Sequence, residues 1–209
     1  MAMVQNNISA QEAVNNLSEK HLKLIIKILG EETEASNIAK NIIKARSEKK
    51  ITKVNELVKI IEKSKKKNFS SKINPSTKTF QALRIYVNKE ISELINGITK
   101  ATKILKPGGK LVIVSFHSIE DKIVKFFFKN YSEIKNSSRY IPNKSNKIKR
   151  FLLKKKKPIT PSKEELKLNP PSRSAKLRFA IKTNHESNFD EFKGKFRQLT
   201  DIEKLQFEK

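Results

Sequence analysis

A chain of 209 residues has room for one or two domains, and 46 lysines and arginines against 21 acidic residues give a net charge of +25, which favours a polyanionic partner such as RNA. Without a cysteine it can form no disulfide and no thiolate metal site, which fits a reducing cytosol. No apolar run approaches the length of a membrane span and no charged-then-apolar signal pattern opens the chain, so the expected setting is cytoplasmic and away from membranes.

Total charge alone does not decide the partner. Lysine far outnumbers arginine, and asparagine and isoleucine are also abundant, as an AT-rich genome produces regardless of function. The placement of the charges carries more weight.

Taken in order, the first 72 residues read as four short amphipathic helices. Ser9 with Glu12 has capping-box spacing for a helix containing Val14, and Ser18 caps a second. Leu22, Ile25, Ile26 and Leu29 share one face of that second helix, and Gly30 is placed to end it. Ala35, Ile38, Ala39, Ile42 and Ile43 mark a third. Thr52 is the expected cap of a fourth, whose apolar positions are Val54, Leu57, Val58 and Ile61. Short connections make this a small bundle. Its outer faces mix Lys20, Lys23, Lys27, Lys40, Lys44 and Arg46 with several glutamates, a pattern that serves a solvated surface or an RNA contact equally.

After a basic linker, Asn74-Pro75 opens a long helical pattern through Phe80, Leu83, Val87, Ile91, Leu94, Ile98 and Leu105, with Gly97 the expected point of division. Arg84 lies at the edge of that stripe, either ion-paired or reaching a phosphate. Pro107-Gly108-Gly109 is a turn, and Leu111–Val114 is a continuous apolar run of the kind found in a parallel strand covered on both faces. Ser118, with Asp121 three residues on, is the expected cap of the next helix, whose apolar face is Ile123, Val124, Phe127 and Phe128. Ligands of open α/β sheets bind beyond the carboxyl ends of the strands. Ser115, His117, Ser118 and Asp121 are therefore the candidates near an active site. Each also has a structural reading: His117 as a hydrogen-bonded strand-end residue, Ser118 and Asp121 as helix starters. With no second His or Cys nearby, no metal is expected.

From Lys135 to Lys163 there is no acidic residue, while basic residues recur throughout, with Tyr140 and Phe151 available to stack on unpaired bases. Ser162 with Glu165 caps a brief helix before Asn169-Pro170-Pro171. Ser174 to Lys182 alternates, placing Leu177, Phe179 and Ile181 on one face of a last strand. Arg173 and Lys176 near its start reach phosphate or pair with a carboxylate. Beyond Thr183, Phe189, Phe192, Phe196 and Leu199 suggest a loosely docked helix.

Four blocks occur in one order: T-K-T-F-Q-A-L-R-I-Y-V-N-K-E at Thr77–Glu90, L-K-P-G-G-K-L-V-I-V-S-F-H-S-I-E-D-K-I-V-K at Leu105–Lys125, K-P-I-T-P-S-K-E-E at Lys157–Glu165 and N-P-P-S-R-S-A-K-L-R at Asn169–Arg178. Together they resemble the bacterial 16S rRNA (cytosine-N4)-methyltransferase family, the ribosomal small subunit methyltransferase H or MraW proteins, from about Ser9 to Lys182. The resemblance implies an α/β fold: the C-terminal part of a Rossmann-like, S-adenosylmethionine-dependent methyltransferase sheet, preceded by an all-α inserted domain. Residues 1–72 correspond to that helical insertion, with a role in holding ribosomal RNA, and residues 73–182 to the sheet portion. Residues 183–209 form a tail outside the resemblance.

The implied cofactor is S-adenosylmethionine, yet the family's glycine-rich fingerprint is expected upstream. None of the five glycines here forms a G-x-G arrangement between a strand and a helix, so no cofactor-binding residue is expected in this chain. As an isolated fragment it is expected to be catalytically incomplete, with a complementing N-terminal chain or self-association covering the edge of the Leu111–Val114 strand. The implied substrate is 16S rRNA on the small ribosomal subunit, and the expected RNA contacts are Arg84, Lys147, Lys149, Arg150, Lys154, Lys155, Arg173 and Lys176. The competing reading is a non-catalytic basic RNA-binding module acting on that subunit.

Overall fold

The computed structural model describes residues 8–65, 74–134, 150–185 and 188–207. In chain order the helices are α1 (Ala10–Asn16), α2 (Glu19–Leu29), α3 (Ala35–Glu48), α4 (Val54–Ser64), α5 (Thr77–Asn88), α6 (Glu90–Ile104), α7 (Ser118–Tyr131), α8 (Lys163–Leu168), α9 (Asp190–Lys195) and α10 (Arg197–Ile202), with a 3-10 turn at Pro170–Ser174. The strands are β1 (Lys110–Ser115), β2 (Ser132–Ile134), β3 (Phe151–Leu153) and β4 (Lys176–Lys182). Two compact units result, Met1–Glu93 with Arg197–Lys209, and Leu94–Phe196. The cut falls inside α6.

In the helical unit the local rules act largely as the spacing predicts. The Ser9 hydroxyl accepts from the Glu12 N–H at 3.1 Å while the Glu12 carboxylate accepts from the Ser9 N–H at 2.8 Å, closing the capping box of α1. Ser18 caps α2 through the His21 N–H. Leu22, Ile25, Ile26 and Leu29 are fully buried against Ala35, Ile38, Ala39 and Ile42 of α3 and the inner face of α5. Polar ties bridge the layers: Arg46 donates to the Val14 carbonyl, Asn15 to that of Ile51, and Asn41 to the Ser64 hydroxyl. Buried Glu32 accepts from Lys65.

Gly30 ends α2 as expected, though for a different reason, and two other local expectations are corrected. Gly30 ends α2 with φ −90°, so it is not required for a left-handed cap; a Cβ there would lie 2.6 Å from both the Ile26 and Lys78 carbonyl oxygens, and close approach is what demands glycine. Thr52 does not cap α4. Instead Glu56 reaches back to accept from the Thr52 and Lys53 N–H groups, and Val54 is 66% exposed. The long helical pattern divides at Lys89, left-handed at φ 51°, rather than at Gly97, which sits inside α6 facing open space.

In the other unit the sheet order is β1-β4-β3-β2, with β1 and β3 antiparallel to β4 and β2 parallel to β3. The expectation of a parallel β1 covered on both faces is corrected by this register. Leu111 lies opposite Ala180 and Ile113 opposite Arg178 on the face that α7 covers. Val112 and Val114 lie opposite Phe179 and Leu177 on the other face, where they remain 53% and 48% exposed. The apolar run is two-faced, but among the described residues only one face is covered. Mixed α/β architecture is what these residues form.

The core of this unit is aromatic. Phe127, fully buried on α7, packs against Tyr131, Phe151, Phe189 and Phe192, all with ring centroids within 6.0 Å. Residues 188–196 are thus not loosely docked, since Phe189 and Phe192 are core residues, and the expected single tail helix breaks at Phe196. Lys182 closes the opposite end by donating to the Thr102 and Leu105 carbonyls at the C-terminus of α6.

Candidate functional site

The corner where β1 meets α7 is built from a strand end and a helix cap. Ser115, the last strand residue, is buried and its hydroxyl donates to the Lys176 carbonyl at 3.3 Å. The cap of α7 is His117 rather than Ser118. The imidazole Nδ1 accepts from the Glu120 N–H at 3.4 Å, and Nε2 stands 3.3 Å from a Glu120 oxygen. Extended backbone at His117, φ −132°, aims the ring at the first turn and leaves Ser118 inside the helix, exposed.

Glu120 was not among the expected site residues, yet it organises the corner. One of its oxygens accepts from the Phe116 N–H at 2.8 Å and from the His117 N–H at 3.3 Å. Burial works to raise its pKa, but the bonds from His117 and from these amides outweigh it and hold the carboxyl below its ordinary range. The His117-x-x-Glu120 spacing is a capping box with histidine in the serine position, which is the signal that could have found it.

Asp121 turns the other way. Its carboxylate pairs with the Arg178 guanidinium at 2.8 Å and the Lys176 ammonium at 3.2 Å, tying α7 to β4. Burial again opposes ionisation, and the hydrogen bonds and charges of Arg178 and Lys176 overcome it, leaving the Asp121 pKa below its ordinary value. Arg178, only 9% exposed at its side chain, also donates to the Lys156 carbonyl. Neither carboxylate is poised as a general base: each is held ionised by its own partners.

Lys156 is therefore pinned beside β4, and the Ile159–Leu177 bridge, with backbone bonds of 2.8 and 2.9 Å, fixes the next turn of chain there. Lys154 and Lys155 project from this segment and Arg173 from the 3-10 turn before β4, all exposed. These are exposed cations on segments that flank β4.

The remaining expected RNA contacts fall into two groups. Lys147 and Lys149 lie outside the described residues, as do Lys135, Arg139, Tyr140 and Lys144. Arg84 and Arg150 are engaged within the chain: Arg84 binds both oxygens of Glu90, and the Arg150 guanidinium lies over the Tyr131 and Phe189 rings and donates to the Asn188 carbonyl. Lys176 takes the carboxylate alternative through Asp121. Phe151 is fully buried in the aromatic core, so the expectation that it stacks on bases is corrected.

The β1–α7 corner does not fit S-adenosylmethionine. A cofactor cradle needs backbone donors and close approach at the carboxyl end of a strand, but Glu120 already occupies the Phe116 and His117 amides. The glycine turn at Gly108, φ +82°, lies at the opposite end of β1.

Residues 1–183 match the MraW methylase family. The chain is 44% identical over 193 residues to a protein of Bartonella tribocorum named Ribosomal RNA small subunit methyltransferase H, an alignment covering 92% of this chain and 58% of that protein. Proteins of the same name from Bartonella henselae and Brucella ovis are 44% and 42% identical, with 56% and 54% of their length covered. The chain spans rather more than half the length of the curated relatives it matches.

Proposed function

The chain belongs to the MraW methylase family, and from that premise we propose that it serves S-adenosylmethionine-dependent methylation of the N4 amine of a cytosine in 16S rRNA, contributing the RNA-facing part of the enzyme. The observation that carries this reading is the 44% identity over 193 residues to relatives named for small-subunit rRNA methylation. The exposed cations Lys154, Lys155 and Arg173 on segments flanking β4 support it, because exposed cations are suited to phosphate. In this reading residues 1–72 are a helical domain that holds RNA, residues 73–182 are part of a Rossmann-like methyltransferase domain, and residues 183–209 are a tail. The setting is cytoplasmic.

Methyl transfer from a sulfonium to an exocyclic amine chiefly requires alignment and an acceptor for the amine proton. Ser115, His117 and Asp121 act here as positioning residues that fix the β1–α7 corner and the start of β4, and Ser118 lies exposed at the same corner. The open edge of β1 and its exposed valines favour completion by a further chain or by self-association.

A second reading, a non-catalytic RNA-binding module, is favoured by one observation, the amides of Phe116 and His117 being taken by Glu120. Calorimetric titration of the 209-residue chain with S-adenosylmethionine and, in parallel, with a small-subunit rRNA fragment tests both. RNA binding without cofactor binding is expected. Methyl transfer on adding the part of the Bartonella tribocorum relative outside the aligned residues selects the enzyme reading, and its absence selects the module. Cofactor binding by the chain alone contradicts the account of the corner.

A further inference from the structure

Among the described residues Phe116 is the one exposed aromatic side chain, 56% accessible where the other phenylalanines and tyrosines are buried or half-buried. Aromatic rings dominate the apolar burial of cores and interfaces, so a ring held in water on an ordered corner calls for a partner.

The backbone under this ring is fixed. The Phe116 N–H donates to the Glu120 carboxylate at 2.8 Å, the Ser115 hydroxyl before it donates to the Lys176 carbonyl at 3.3 Å, and His117 after it caps α7. Val112, Val114 and Phe116 alternate along the chain, which puts the ring on the face of β1 turned away from α7, just beyond the strand's carboxyl end. Ligands of open α/β sheets bind at that end.

The corner offers no anion site of its own, because Glu120 takes the Phe116 and His117 amides. What it presents is the face of a ring. A cation follows from the register: Ser115 lies opposite Lys176, so Ala175 falls across from Phe116 and Arg173 lies two residues further along, exposed in the 3-10 turn.

We propose that Phe116 is a base-stacking residue: its ring receives one unpaired base of an RNA strand whose adjoining phosphate is met by Arg173. This rests on the RNA-facing role proposed above and adds to it the contact that selects unpaired RNA. A ring stacks on any base whose π-face is open, and a base inside a duplex has both faces covered. With its backbone already held, the ring has only χ1 and χ2 left to order on binding.

The chain has no tryptophan, so Phe116→Trp installs a single indole at this position. Titrating the full-length variant with a single-stranded fragment of small-subunit rRNA is expected to quench its emission, with affinity equal to or above that of the wild type. Phe116→Leu keeps an apolar side chain without the ring, and is expected to bind the fragment about 5- to 100-fold more weakly, the range of one base stack. Its slope of log K against log salt is expected to match the wild type, because a stack releases no counterion. The same fragment annealed to its complement is expected to bind the wild type and Phe116→Leu alike. A wild type that does not bind the single strand overturns the RNA-facing reading and the stack together. Binding by the wild type with equal affinity in a folded Phe116→Leu, or with unchanged emission from Phe116→Trp, overturns the stack alone. Emission that responds to protein concentration and not to RNA assigns the ring to a second copy of the chain, which also overturns it.

Discussion

Asp121 shows how a single carboxylate can look catalytic in sequence and be structural in the fold. It lies three residues after Ser118 at an expected ligand corner, but its oxygens are taken by Arg178 and Lys176. Replacing it with alanine leaves the nearly buried Arg178 without its charge partner, and breaking a buried pair in this way costs about 3 kcal/mol. Urea unfolding at neutral pH should show that loss, with Asp121→Asn intermediate. Because the folded pKa is depressed below 3.8, the stabilisation is present above that value and disappears as pH falls through the folded pKa. The stability of the wild type is therefore expected to drop on acidification more steeply than that of Asp121→Asn. The partner was legible only in part. The alternation of β4 puts Arg178 on the face opposite Leu177 and Phe179, but which helix would meet that face needed the tertiary register.

At the scale of elements, glycine positions separate close approach from flexibility. In Gly30→Ala the new Cβ meets two backbone oxygens at 2.6 Å, and overpacking against backbone costs about 1–3 kcal/mol. Gly97→Ala adds a methyl to open space inside α6 and should stabilise by about 0.5–1 kcal/mol. Thermal unfolding of the two variants should shift in opposite directions. Apolar periodicity correctly located the buried faces of α2, α3 and α7, because 3.6-residue spacing is local information. It could not place the α5–α6 break, where Lys89 accepts a left-handed backbone that its side chain does not announce. Nor did it separate Phe189 and Phe192, which enter the aromatic core, from Leu199 in α10: tail spacing alone does not say what a ring packs against.

At the scale of the whole molecule, the face of β1 left uncovered among the described residues and the exposed cations flanking β4 make separate predictions. Exposed Val112 and Val114 on an edge strand are a template for association. The double variant Val112→Lys, Val114→Lys should therefore reduce self-association in light scattering without changing the circular dichroism of the fold. Family membership was legible because four motif blocks fall in one order. The antiparallel partner of β1 was not, since a run apolar on both faces looks alike whether or not its second face is covered.

The most direct test of the RNA-facing role is the salt dependence of binding to a small-subunit rRNA fragment, measured for the wild type and for Lys154→Glu, Lys155→Glu, Arg173→Glu combined. Each lost phosphate contact lowers the slope of log K against log salt by about 0.7–0.9, so the triple variant should lose about 2–3 units of slope and bind more weakly at every salt concentration. An unchanged slope and affinity in a folded triple variant would contradict the assignment of this surface to RNA.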